Sequence, residues 1–160
     1  MTEKDEQNEM NEQREFQEKV LAYRILESRL NSLAQQRELI TNKLIEIQTT
    51  LNSIDEIEKS KEEVLFPLGS EAYAFGKVAD KTKMIVEVGA GVALEKTVGE
   101  AKEILKSRMT DIENALTTVQ RNMQEASESL EVLEPELQQM MEKQQRHEHR
   151  DEESTSHLAK

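Results

Sequence analysis

All five glycines of this 160-residue chain, Gly69, Gly76, Gly89, Gly91 and Gly99, fall in one central window, and the long segments on either side contain none. A chain divided in this way changes architecture twice, because glycine marks turns and is unfavourable inside helices. Before the window, Phe16, Tyr23, Leu26, Leu30, Leu33, Ile40, Leu44, Ile47, Leu51 and Ile54 follow a 3,4 alternation interrupted only by Lys19 and Arg37. After it, the pattern runs without a skip through Leu105, Met109, Ile112, Leu116, Val119, Met123, Ala126, Leu130, Leu133, Leu137 and Met140. Both are heptad seams, so each flank is predicted as a long coiled-coil helix. Glu, Gln, Lys, Arg and Asn fill most other positions, leaving a narrow apolar stripe and a polar remainder that projects into water.

Thr97-Val98-Gly99-Glu100 fits a capping box and places the start of the second helix near Val98. Between the helices, residues 64–68, 72–78, 84–88 and 92–94 are β-prone runs separated by Gly69-Ser70, Asp80-Lys81 and Gly89-Ala90-Gly91, which predicts two β-hairpins. The expected fold is α+β and mainly α, with helices over 13–62 and 97–142 and hairpins over 63–96. Helices of roughly 65 Å and nearly equal length suggest an antiparallel pair, with Ile54 near Val98 or Ala101, Leu26 near Leu130 and Phe16 near Met140. Residues 1–12 and 143–160 are polar and lack sustained periodicity, and they are expected to be disordered tails.

Only 36% of residues are apolar and 3% aromatic, too little for a compact globule to offset the entropy of ordering. An elongated shape or an obligate assembly is favoured. Thirty-three acidic against 21 basic residues, a formal charge of -12, argue against a phosphate-binding surface and so against nucleic acid. The charge keeps an exposed coil soluble, or steers a basic partner surface. There is no cysteine on which to build a disulfide, a thiol nucleophile or a thiolate metal site. No stretch approaches the ~20 apolar residues of a membrane span, and residues 1–15 lack the apolar core of a signal peptide, so a soluble, cytoplasmic protein is expected.

Sharper chemical readings lose to plainer ones. His147 and His149, with distant His157, fit no structural zinc spacing and lie in a polar tail, so no metal or cofactor is expected. Gly89-Ala90-Gly91 begins like a dinucleotide fingerprint, but Leu94 stands at the third glycine position and a strand follows, which makes it a hairpin turn. Arg37 in the seam either selects register or extends its charge to the surface. Pro135 lacks an amide hydrogen and is expected to kink or loosen the last turns of the second helix. No phosphate-binding loop and no grouping of nucleophile, base and orienting residue can be read, so the chain is not expected to be an enzyme.

Four short strands cannot close a barrel alone, and open sheet edges invite pairing. The strands concentrate Phe66, Leu68, Tyr73, Phe75, Met84, Ile85, Val86, Val88, Val92 and Leu94 without a second layer of their own, so other chains are expected to supply that layer. Coils projecting from a shared β body enclose space without forming a small-molecule pocket, an arrangement suited to gripping something large.

The stretches Val64-Leu65-Phe66-Pro67-Leu68-Gly69 and Val86-Glu87-Val88-Gly89-Ala90-Gly91-Val92-Ala93-Leu94-Glu95-Lys96-Thr97 resemble the alpha-type prefoldins of archaea, and the likeness extends over roughly residues 23–140. Two hairpins favour the alpha type, since beta-type subunits have one. The resemblance implies a hexamer of two alpha and four beta subunits whose strands complete an intersubunit β-barrel. Its six arms would hold unfolded proteins at their tips without ATP and pass them to a group II chaperonin. Carried onto this chain, the assembly surface is the hairpins from Val64 to Glu95, and the client-binding tip draws on Phe16, Val20, Tyr23, Leu133, Leu137, Met140 and Met141. Methionine suits such a surface because it repacks against varied apolar partners. Leu133, Leu137, Met140 and Met141 could instead simply complete the seam. Two other readings stay open: a prefoldin-like chain that forms filaments through its β regions, and a dimeric coiled-coil adaptor with one specific partner.

Overall fold

The computed structural model describes residues 3–61 and 63–157, with side chains described from residue 7 to residue 146 except 9 and 62. Helix α1 spans Glu3–Lys59 and helix α2 spans Val98–His157. Between them lie four strands, β1 (Val64–Gly69), β2 (Ala72–Gly76), β3 (Lys83–Gly89) and β4 (Val92–Thr97). β1 pairs only with β2 and β3 only with β4, both antiparallel, so the insert is two separate two-stranded sheets. By contact the chain divides into two units, Met1–Gln36 with Val119–Lys160, and Arg37–Thr118.

Helical backbone continues through residues 3–12 and 143–157, which the composition had suggested would be disordered tails. Glu, Gln, Lys and Arg are good helix formers and satisfy their own backbone hydrogen bonds without a core. The side chains of His147, His149 and His157 lie outside the described residues. α2 passes through Pro135 without a break. Pro135 is exposed, which leaves water free to bond the carbonyl one turn back that proline cannot serve.

In the unit from Arg37 to Thr118, Ile47, Leu51 and Ile54 of α1 pack with Val98 and Leu105 of α2 into a buried cluster, with Met84, Met109 and Ile112 against it. The expected neighbours Ile54 and Val98 share this cluster. Arg37, the polar interruption in the seam, is exposed. Lys102 of α2 bridges Asp55 and Glu58 of α1, which pairs the end of one helix with the start of the other. The hydrogen bond raises the Lys102 pKa and lowers that of Asp55.

In the other unit, Leu33, Val119 and Ala126 are buried, and Phe16, Tyr23, Leu26, Leu30, Met123, Leu130, Leu133, Leu137 and Met140 are half-buried. Heptad a and d positions therefore form the covered side of each helix here as well. Lys19 of α1 meets Glu136 of α2 at 3.0 Å.

The start of α2 is built as the capping box requires. The Thr97 amide and hydroxyl donate to Glu100 Oε2 at 3.0 and 2.9 Å, and the Glu100 amide donates to Thr97 Oγ1 at 3.3 Å. The Val98 amide donates to the Thr82 carbonyl at 3.1 Å. Thr82 is itself held by Asp80, whose Oδ1 accepts from the Thr82 amide at 2.8 Å and its hydroxyl at 2.6 Å. These bonds hold the Asp80 carboxyl below its usual range.

The Glu100 carboxyl is likewise lowered, first by the Thr97 amide, then by the Thr97 hydroxyl and by Lys96. A carboxyl depressed in the folded chain contributes stability above the ordinary carboxylate range and loses it as pH falls through the folded value. Thr97→Ala is therefore expected to cost about 1 kcal/mol, or about 2–4 °C of Tm, at neutral pH. In circular dichroism melts the difference from wild type narrows once the pH falls below the carboxylate range; a difference independent of pH would exclude the charged cap.

Candidate assembly surface and helix ends

Each hairpin closes on two residues with positive φ, Ser70 (48°) and Glu71 (61°) in the first, Ala90 (49°) and Gly91 (75°) in the second. Such turns match the right-handed twist of the flanking strands. Gly69 (φ 101°) and Gly89 (φ 123°) precede them, where the register shifts by one residue past Leu68 and Val88. A φ that large is open to glycine alone without strain, so these two glycines set the bulge and the turn together. Gly89-Ala90-Gly91 is a hairpin turn followed by β4, as expected. Gly76 serves another purpose: a Cβ there would stand 3.0 Å from the Phe66 ring, which lies across the strand pair.

In the first hairpin, Leu65 pairs with Phe75 and Pro67 with Tyr73, so these four side chains share one face. Leu65, Leu68, Tyr73 and Phe75 are all exposed, Phe75 at 76%. Phe66, on the opposite face, is half-buried.

In the second hairpin the two faces differ in character. Met84 and Val86 turn inward, Met84 onto the helical cluster and Val86 to only 8% exposure. Ile85 points the other way and is 76% exposed, while Val88, Val92 and Leu94 are also open. Arg108 of α2 donates to the Glu87 carbonyl and ties β3 to the helix. Lys83 and Glu95 form an ion pair across the strands at 2.8 Å.

Of the ten hairpin residues singled out from the sequence, Leu68, Tyr73, Phe75, Ile85, Val88, Val92 and Leu94 are each exposed, Leu94 although it pairs with Val86 across the strands, whereas Phe66, Met84 and Val86 serve the chain's own packing. Leu65 was passed over, although strand alternation from Phe75 across the turn places it on the exposed face. Every strand keeps one edge unpaired among the described residues. Isolated two-stranded sheets are marginal in water, so exposed large apolar residues beside open edges form a surface that calls for a further layer.

At the helix ends, Phe16, Val20, Tyr23, Leu133, Leu137 and Met140 are half-buried, and Met141 is exposed. Leu21, Ile25 and Val132 are exposed as well, off the seam where the 3,4 pattern gives no signal. Among the described residues no group of His, Cys, Asp or Glu could hold a metal ion, and no helix is long and apolar enough to cross a membrane.

Two long helices joined by paired hairpins, with the apolar load of the strands turned outward, define a coiled-coil subunit of the two-hairpin class. The family model described as prefoldin subunit matches residues 26–143, and the chain belongs to the prefoldin family. It is 30% identical over 134 residues to the prefoldin subunit alpha of Pyrococcus horikoshii, covering 82% of this chain and 90% of that one. It is 26% identical over 132 residues to the prefoldin subunit alpha of Methanobrevibacter smithii, with the same 82% and 90% coverage. The relative from Archaeoglobus fulgidus, also a prefoldin subunit alpha, is 34% identical over 107 residues, covering 65% of this chain and 77% of that one. The fold is also that of a filamentous prefoldin from Methanocaldococcus jannaschii solved by cryo-electron microscopy. That structure has a TM-score of 0.62 at 20% identity and covers 72% of this chain and 97% of the other. The chain is thus an alpha-type member of a chaperone family, and not an enzyme.

Proposed function

We propose that this chain is the alpha subunit of a cytoplasmic hexameric holdase, two copies joining four beta-type subunits. The hairpins supply strands to a closed β-barrel body shared between subunits. The prefoldin-type domain is residues 13–142, with polar extensions at 1–12 and 143–160. Unfolded proteins are gripped without ATP by Phe16, Val20, Tyr23, Leu133, Leu137, Met140 and Met141, and then passed to a group II chaperonin. The observation that carries this reading is the exposure of Leu65, Leu68, Tyr73, Phe75, Ile85, Val88, Val92 and Leu94 beside unpaired strand edges. Weak contacts from several arms add through effective concentration, so no single pocket is needed.

The test mixes the chain with a beta-type subunit and measures the mass of the product, then adds a chemically denatured protein in the absence of nucleotide. A complex of two alpha and four beta subunits that slows aggregation is the expected result. A complex that leaves aggregation unchanged would sink the holdase reading. Filaments of the chain alone under negative stain, with no closed complex, would replace it with open growth through the same strand edges.

A further inference from the structure

We propose that Lys19 is a positioning residue, an electrostatic latch that holds the helix ends together, so that exposure of the client surface depends on ionic strength. The client half of this statement rests on the function proposed above; the latch itself does not.

Lys19 stands at a seam position between Phe16 and Tyr23, where the 3,4 pattern calls for an apolar side chain. Its side chain is 27% exposed, and its ammonium lies 3.0 Å from Glu136 Oε2 of α2 and 3.0 Å from Glu15 Oε1 of its own helix. Glu136, then Glu15, raise the Lys19 pKa, as expected of an ammonium shared between two carboxylates. Arg14 and Glu18, on the same stretch of α1, pair with each other at 3.2 Å.

A cation in a seam forfeits the apolar contact that a leucine would make there, and its usual benefit is to select one register. Closure at this turn therefore depends on attraction between charges, which salt weakens, whereas the buried Leu33, Val119 and Ala126 of the same unit depend on apolar burial, which salt does not weaken. The α2 turn that carries Glu136 also contains Pro135, which removes one helical hydrogen bond. A turn of α2 that lacks one backbone hydrogen bond and the only ion pair between α1 and α2 among the described residues of this unit thus coincide, next to Leu133 and Leu137.

Hydrogen exchange on the full-length chain tests the latch without any client. Raising salt from about 0.01 M to about 1 M shortens the screening length from about 30 Å to about 3 Å. Amides of residues 16–23 and 133–140 are then expected to exchange roughly two- to fivefold faster, and those of residues 105–116 to be unaffected. Lys19→Met completes the apolar seam and abolishes the salt response, Lys19→Arg retains it, and Glu136→Gln exchanges fast even at low salt. A wild-type chain indifferent to salt, or a Lys19→Met chain that responds like wild type, would overturn the latch. In the complex with a beta-type subunit, Lys19→Met is expected to hold less denatured protein and Lys19→Arg as much as wild type. A salt response lost in Lys19→Met with undiminished client capture would support the latch and refute the placement of clients at these ends.

Discussion

Phe75→Asp combined with Ile85→Asp is expected to leave the chain folded and unable to join other subunits. Both side chains are 76% exposed in the single chain, so neither substitution disturbs its packing, and far-ultraviolet circular dichroism and Tm are expected to change little. Covering a phenylalanine or isoleucine contributes about 1.5–3 kcal/mol for each side chain. A carboxylate in the same covered position adds the cost of an unpaired buried charge, so together the two changes weaken association by about a thousandfold or more. The complex with a beta-type subunit then disappears from native mass spectra at micromolar concentration. An unchanged complex mass would show that the outward faces of the hairpins are not the assembly surface. The matched control is Val86→Asp, which strikes a side chain only 8% exposed and is expected to damage the chain itself.

Removing residues 1–22 and 134–160 is expected to have the opposite profile, with association intact and client capture lowered by roughly tenfold as contacts from several arms are lost. The truncation takes away Phe16, Val20, Leu137, Met140 and Met141 and spares the buried cluster of Ile47, Leu51, Ile54, Val98 and Leu105. Sedimentation measures the first effect and suppression of client aggregation the second. Loss of the complex on truncation would show that these ends are structural. Read together, the two variants separate assembly from capture.

The helices, both hairpin turns and the capping box were legible in the residues because each is a local matter. A 3,4 alternation, a glycine at φ above 100° and a threonine three residues before a glutamate act within one or two turns of chain. Local signals ran out where polarity replaced periodicity. Residues 3–12 and 143–157 have no seam, yet their Glu, Gln, Lys and Arg content allows helix, and helix is what they form.

The sequence by itself thus determined the two long helices, the two hairpins of the glycine window between them and the prefoldin resemblance. Only the tertiary structure decided which way each hairpin faces and which charges meet. Alternation along β3 separates Met84 and Val86 from Ile85 but is silent on which side is covered; Met84 packs on the cluster of α1 and α2 and Val86 is buried on the same face, which leaves Ile85 out. The pairing of Lys19 with Glu136 is equally invisible in one dimension, because it depends on how two helices far apart in the chain align. Side-chain direction and charge partnership are set by surfaces meeting across space, and sequence spacing records only the period of each surface.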